Sequence, residues 1–205
     1  VTPLLLLAAR DDLYGASRAL VAQLEPLREA GFQPLVATPS RAGPLAAAVE
    51  ALGVPTVAAR ALASARSLRA RLLGGWALRP LVGEARRRGV RLVVASTLSA
   101  GPPARRLARA LQVPAVVHLR SIPGPGAFVR YEAHRADAVI AVSRAVERAF
   151  LAEVPDGAGR RAVIFDGIPP GPPALTRAQA RAHLGLDPEA RIVGVLGAIS
   201  PGKGT

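Results

Sequence analysis

A doubly wound α/β domain on a parallel sheet is the fold this sequence predicts, and three observations predict it. Short apolar runs alternate with longer amphipathic ones along most of the chain, which is how repeated βα units read. Residues 113–119, VPAVVHL, are small and β-branched apolar residues in a row, the pattern of a strand buried on both faces of a parallel sheet. Hydrophobic residues make up 50% of the 205, ample for a core, while no apolar run approaches the roughly 20 residues that span a bilayer.

Taken in order, residues 1–9 lack the basic leader and small-residue cleavage site of a signal peptide and fit a first strand, at residues 4–8. A loop over residues 10–17 follows. Gly15 sits where a helix begins, with Ser17 placed to cap it. Leu20, Leu24 and Leu27 recur at helical spacing until Gly31 ends the helix. Residues 35–37 read as the second strand, 39–43 as a turn, 43–52 as a short helix closed by Gly53, and 54–58 as the third strand. Residues 61–88 are helical in pattern but interrupted at Gly74 and Gly75; Arg66, Arg69, Arg71 and Arg79 alternate there with Leu68, Leu72, Leu73, Trp76 and Leu78. Such a segment fits a sheet-covering helix with a solvated arginine face, or a pair of helices lying on an anionic membrane surface.

The second half continues the alternation: a strand at 92–96, a helix at 103–111, the central strand at 113–119, a short helix at 127–134 and a strand at 138–142. Ser143 caps a helix that runs to about residue 152, and residues 162–165 form another strand. Residues 167–173 are too rich in Pro and Gly for regular structure and read as a linker. A helix at 176–184 with Thr176 as its cap and a last strand at 192–196 follow. The expected organisation is one α/β domain over 1–166, a linker and helix over 167–190, and the start of a second domain over 191–205.

The net charge of +13 comes almost wholly from arginine, Lys203 being the only lysine, and it points to anionic partners. Arginine together with Ala, Leu, Gly and Pro is also what GC-rich coding produces. Aromatic residues, at 3%, are too few for the stacking platforms of single-stranded nucleic acid binding, which favours phosphate or a membrane surface over nucleic acid. With no cysteine there is no disulfide framework, no thiol chemistry and no thiolate metal site. The cytoplasm is the default compartment, with the inner membrane face as a peripheral contact for the basic helices. His118, His134 and His183 lie far apart with no carboxylate at ligand spacing, so no metal site is expected. Ser96 and Ser99 lack the strained glycine elbow of a nucleophilic serine.

At the end of the central strand the polarity changes abruptly. His118 and Arg120, two apart, point to one side of an extended strand just before the PGPG of residues 123–126 breaks it. Ligands in open α/β sheets bind beyond the carboxyl ends of the strands, which makes His118 and Arg120 candidate site residues. The plainer reading makes His118 a hydrogen-bonded core histidine and Arg120 a loop anchor. Residues 197–205, GAISPGKGT, follow a strand as a glycine-rich turn of the kind that presents backbone N–H groups to a phosphate. The helix that would complete such a turn is missing, so the sequence reads as a fragment.

Taken together, Gly15-Ala16-Ser17 after the first strand, residues 115–120, ADAVIAVSRAV at 136–146, VIFDGI at 163–168 and VGVLGAISPGKG at 193–204 resemble glycosyltransferase family 4, in order along nearly the whole chain. The resemblance implies the GT-B architecture, in which two Rossmann-like domains face each other across a cleft. The amino-terminal domain contacts the acceptor, and the carboxy-terminal one holds the nucleotide-sugar donor. It further implies retaining glycosyl transfer from that donor to a sugar, lipid-linked or other acceptor, with no required metal or cofactor. This chain would then be the acceptor-side domain with the first strand and turn of the donor domain, and inactive without the rest.

Residue by residue, Gly15, Ala16 and Ser17 match the family's amino-terminal glycine loop, with Tyr14 where a second glycine is common. The histidine that the family commonly has near the reacting sugar falls on Arg120 when aligned from Pro114, with His118 two residues earlier. Ser143 matches a loop serine, and Asp166 replaces the usual asparagine before Gly167. Lys203 matches the lysine of the phosphate grip, and Gly197 and Gly204 frame its turn. Ala198 stands where an arginine usually follows the first glycine, so one of two expected cations is absent.

Two other classes compete. The GxxxxGKGT ending also matches a Walker A loop, in which Lys203 would reach the β- and γ-phosphates of a nucleotide. Such a loop needs a following helix and a downstream aspartate, and neither is present. A non-enzymatic module that docks its basic domain on an anionic surface is the other. A glutamate-bearing E-x7-E motif further along the chain would mark the transferase.

Overall fold

The computed structural model describes residues 1–62, 76–157, 159–167 and 174–194. Seven strands form one sheet: β1 (Thr2–Leu7), β2 (Phe32–Thr38), β3 (Thr56–Ala58), β4 (Leu92–Ala95), β5 (Ala115–Leu119), β6 (Ala138–Ala141) and β7 (Arg160–Val163). Their order is β3-β2-β1-β4-β5-β6-β7, and every neighbouring pair is parallel. The chain winds outward from β1 to β3, returns to lay β4 beside β1, then winds outward the other way to β7. This is the doubly wound, Rossmann-like α/β fold that the alternation of runs predicts.

Successive strand residues point to opposite faces, and that alternation builds two cores. Leu5 and Leu7 of β1 join Val93, Val117, Leu119 and Val139 in the larger core. It is covered by α3 (Arg79–Arg87), α4 (Gly101–Leu111), α5 (Ala127–Arg130) and α6 (Arg144–Glu153), which contribute Leu81, Leu107, Phe128 and Phe150 among others. The last two rings meet edge to face, with centroids 5.3 Å apart, and so lock α5 onto α6. Leu4 and Leu6 point the other way, into a core with Leu20 and Leu24 of α1 (Gly15–Glu29) and Leu45 and Val49 of α2 (Pro44–Ala51). Each fully buried leucine of this kind contributes about 2 kcal/mol.

The chain divides into two compact units, Val1–Ile168 and Pro169–Thr205. In the second, α7 (Arg177–His183) starts at a capping box. Gln179 donates its backbone N–H to the Thr176 hydroxyl at 3.3 Å, and the Gln179 side chain accepts from the Thr176 backbone N–H at 3.0 Å. Residues 192–194 carry no strand, and the remainder of that expected strand, with the glycine-rich turn holding Gly197, Lys203 and Gly204, lies outside the described residues. So do residues 63–75, part of the arginine-rich segment, and residues 168–173 of the expected linker. Among the described residues no helix is long and apolar enough to cross a membrane.

Three local expectations differ from the structure. Ser17 does not cap α1: the helix starts at Gly15, so Ser17 lies inside its first turn and donates to Asp12 at 3.2 Å instead. The helix expected over 127–134 breaks, because Glu132 takes a left-handed conformation at φ 58 and a 3-10 turn, Ala133–Arg135, follows. Arg105 of α4 pairs with the Glu132 carboxylate, side chains 17% and 28% exposed. The last strand of the first unit is Arg160–Val163 rather than 162–165, since its register with β6 pairs Ala138 with Arg160 and Ala141 with Val163. That shift leaves Ile164 and Phe165 exposed beyond the strand.

Candidate functional site

Where the strand order reverses, between β1 and β4, the loops that follow the two strands diverge to opposite faces and leave a crevice at their carboxyl ends. A cleft of about 530 Å³ occupies this end of the sheet. Gly15 and Ala16 enter it from the first turn of α1, and Thr97, Leu98 and Ser99 from the segment after β4. Arg120, Ser121 and Pro123 line it beyond β5, and Tyr131 and Asp166 complete it. A recess of about 140 Å³ adjoins it, sharing Ala16 and Thr97 and reaching Asp12, Ser17 and Ser96. A side chain at Gly15 would meet nothing within 4 Å. The fold therefore does not require the glycine, whose effect is to keep the cleft wall bare.

Arg120 is the node of the site. Its Nε donates to the Ser96 carbonyl at 2.9 Å, one terminal nitrogen donates to both Asp166 carboxylate oxygens at 2.8 Å, and the other lies 3.2 Å from His118 Nδ1. These bonds tie the carboxyl ends of β4, β5 and β7 together across β6. The Ser96 hydroxyl donates to the Leu7 carbonyl at 2.7 Å and extends the network to β1. With the Arg120 side chain 8% exposed and that of Asp166 40% exposed, a nearly buried cation is balanced by a carboxylate on the cleft.

His118 does not line the cleft and reaches it through Arg120. A guanidinium has no acceptor, so Nδ1 must accept, which places the ring proton on Nε2. That nitrogen is buried and has no partner among the described residues. Burial first, and the Arg120 charge second, push the His118 pKa down to about 4 against the opposing pull of Asp166. At neutral pH the ring is uncharged and accepts from Arg120 at Nδ1.

Asp12 organises the loop between β1 and α1. Its carboxylate accepts from Arg10, from the Tyr14 backbone N–H at 3.1 Å and from the Ser17 hydroxyl. Burial raises its pKa, but the bonds from Arg10, Tyr14 and Ser17 and the Arg10 charge outweigh that and leave it lowered. Ser143 lies apart from the cleft lining and caps α6, accepting the Val146 N–H at 3.2 Å. Among the described residues no group of three His, Cys, Asp or Glu side chains is gathered where it could hold a metal ion.

Of the sequence candidates, the structure brings Gly15, Ala16 and Arg120 to one cleft, sets Ser17 in the adjoining recess and His118 behind Arg120, and leaves Ser143 outside. The cleft hydroxyls of Thr97, Ser99, Ser121 and Tyr131 were not anticipated. The signal for the first two was present, since the apolar run LVVA gives way to STLS at 96–99 just as the central strand gives way to His118 and Arg120.

The model of the family described as Glycosyltransferase Family 4 matches residues 14–171. Among curated proteins, no sequence matches this chain. Among solved structures, the chain is similar to HepE from Anabaena in complex with UDP-glucose, at 20% identity and a TM-score of 0.67, over 90% of this chain and 50% of that one. It is similar to a glycosyltransferase from Rickettsia africae at 13% identity and a TM-score of 0.64, over 91% and 50% of the two chains. It is also similar to MurG from Acinetobacter baumannii, at 15% identity and a TM-score of 0.56, over 82% and 47%. The chain thus spans about half the length of these structures.

Proposed function

The chain belongs to glycosyltransferase family 4, and on that premise we propose that it supplies the acceptor-side half of a retaining transferase that moves a sugar from a nucleotide-diphosphate sugar to an acceptor. The observation that carries this reading is the cleft at the point where the strand order reverses, walled by hydroxyl groups and by bare backbone at Gly15. The UDP-glucose named with HepE supports the donor class.

In this reading Gly15 and Ala16 let the reacting groups approach the first turn of α1. Ser17 holds the loop behind them through Asp12, and Ser143 acts on the site only by starting α6. Arg120 is a positioning residue, which fixes His118 and Asp166 rather than gripping a phosphate itself. Lys203, with Gly197 and Gly204, holds the donor diphosphate. As the glycosidic bond breaks, negative charge grows on the leaving diphosphate, and a fixed cation with preset N–H groups lowers that barrier without reorganisation.

The test is the configuration of the first product formed by a two-domain protein containing this chain, followed by proton NMR with an α-linked UDP-sugar. Retention predicts an α-linked product. A β-linked product would contradict the retaining step, and the absence of any transfer would contradict the reading as a whole.

A further inference from the structure

The cleft holds two charged residues among its described lining, and one of them is largely engaged within the protein. Every nitrogen of Arg120 has a partner within the protein, and its side chain is almost entirely buried. An anion entering the cleft would meet a guanidinium whose charge is already paired with the Asp166 carboxylate. It would also lie against the Asp166 carboxylate.

Asp166 is in the opposite position. Its two oxygens offer about four lone-pair sites. Arg120 uses one site on each oxygen, through a single nitrogen, and 40% of the side chain remains exposed at the cleft. Among the described residues, no hydrogen bond other than those from Arg120 is given to this carboxylate. The same cleft is lined by Thr97, Ser99, Ser121 and Tyr131, whose hydroxyls can both donate and accept, with the Thr97 and Ser99 hydroxyls 3.3 Å apart and bonded to each other. A ligand that matches this lining brings donors to one carboxylate and takes bonds from several hydroxyls. Neighbouring hydroxyl groups on an uncharged ring or chain do both, whereas a phosphate brings acceptors and negative charge.

We propose that Asp166 is the specificity residue of the cleft and that it accepts hydrogen bonds from adjacent hydroxyls of an uncharged, polyhydroxylated part of the acceptor, with Arg120 holding the carboxylate in place. This deepens the transferase reading and rests on it. It assigns the acceptor a neutral polyol or sugar moiety at this cleft and leaves any anionic part of the acceptor outside it.

The experiment is a titration of the 205-residue chain, followed through its backbone amide NMR signals, with glucose, myo-inositol and inorganic pyrophosphate as probes. Saturable shifts at Thr97, Ser99 and Asp166 with either polyol, weakened about tenfold in Asp166→Asn, are expected, since the exchange replaces a charged acceptor by a neutral one. Pyrophosphate is expected to bind the wild-type cleft more weakly than the polyols and to gain affinity in Asp166→Asn. Should that variant lose its folded spectrum, the wild-type order of polyol over pyrophosphate decides alone. Polyol shifts that Asp166→Asn leaves unchanged would overturn the role of Asp166 while leaving the transferase reading intact. Tighter pyrophosphate binding at these amides, or no cleft shift with any probe, would also overturn the proposal. Loss of the transferase reading itself is registered separately, by the product assay.

Discussion

A guanidinium that is 8% exposed keeps its charge only where protein groups replace the water it has lost, and Arg120 has three such groups. The same replacement fixes His118. Its pKa of about 4, against an ordinary 6.5, means that between those values the unfolded chain binds a proton that the folded chain does not. Stability therefore rises with pH across that window: the contribution is complete above pH 6.5, is lost as the pH falls toward about 4, and falls no further below it. At about 1.4 kcal/mol per pH unit, the loss is about 3 kcal/mol. Urea unfolding followed from pH 6.5 down to about 4 should show that decline in the wild type and a shallower one in His118→Gln, which has no proton to gain. Parallel declines in the two proteins would contradict a neutral, buried His118.

At the scale of the elements, the cleft depends on how closely α4 approaches the turn that carries Tyr131. A Cβ on Gly101, at the start of α4, would lie 2.7 Å from the Tyr131 carbonyl oxygen, so backbone meets backbone and neither can swing away. Gly101→Ala should cost about 1–2 kcal/mol, the overpacking penalty less the gain in helix propensity, and should lower the thermal midpoint. An unchanged midpoint would contradict that packing. Elements of this kind were legible in the sequence in proportion to their periodicity. The helix from Gly15, the cap at Ser143 and the central strand follow directly from apolar spacing and cap chemistry. The break at Glu132 does not, and the partner of the Glu132 carboxylate, Arg105, lies 27 residues away in the chain. Nor does the true start of β7, where register with β6 overrides an apolar run. In the site, the sequence offers Asp166 only as the replacement of an asparagine, and Arg120 as a site cation or a loop anchor. That each is the other's partner, 46 residues apart, is information that only the folded sheet contains.

For the whole molecule, the alternation of runs dictates a parallel α/β sheet but not the order of its strands. It is that order, turning back between β1 and β4, that puts Gly15, Thr97 and Arg120 around one cleft. The glycine-rich turn with Lys203, which the transferase reading assigns to the donor, belongs to the second unit. The division of labour between acceptor cleft and donor grip is therefore the central claim, and calorimetric titration tests it most directly. UDP, GDP, UDP-sugars, ATP and AMP would be titrated into this chain alone and into a protein extended by a further domain of ~180 residues. The account predicts binding of a uridine or guanosine diphosphate ligand by the extended protein and not by the 205-residue chain. Binding of ATP or AMP by the short chain alone would make the final turn a Walker A loop and contradict it.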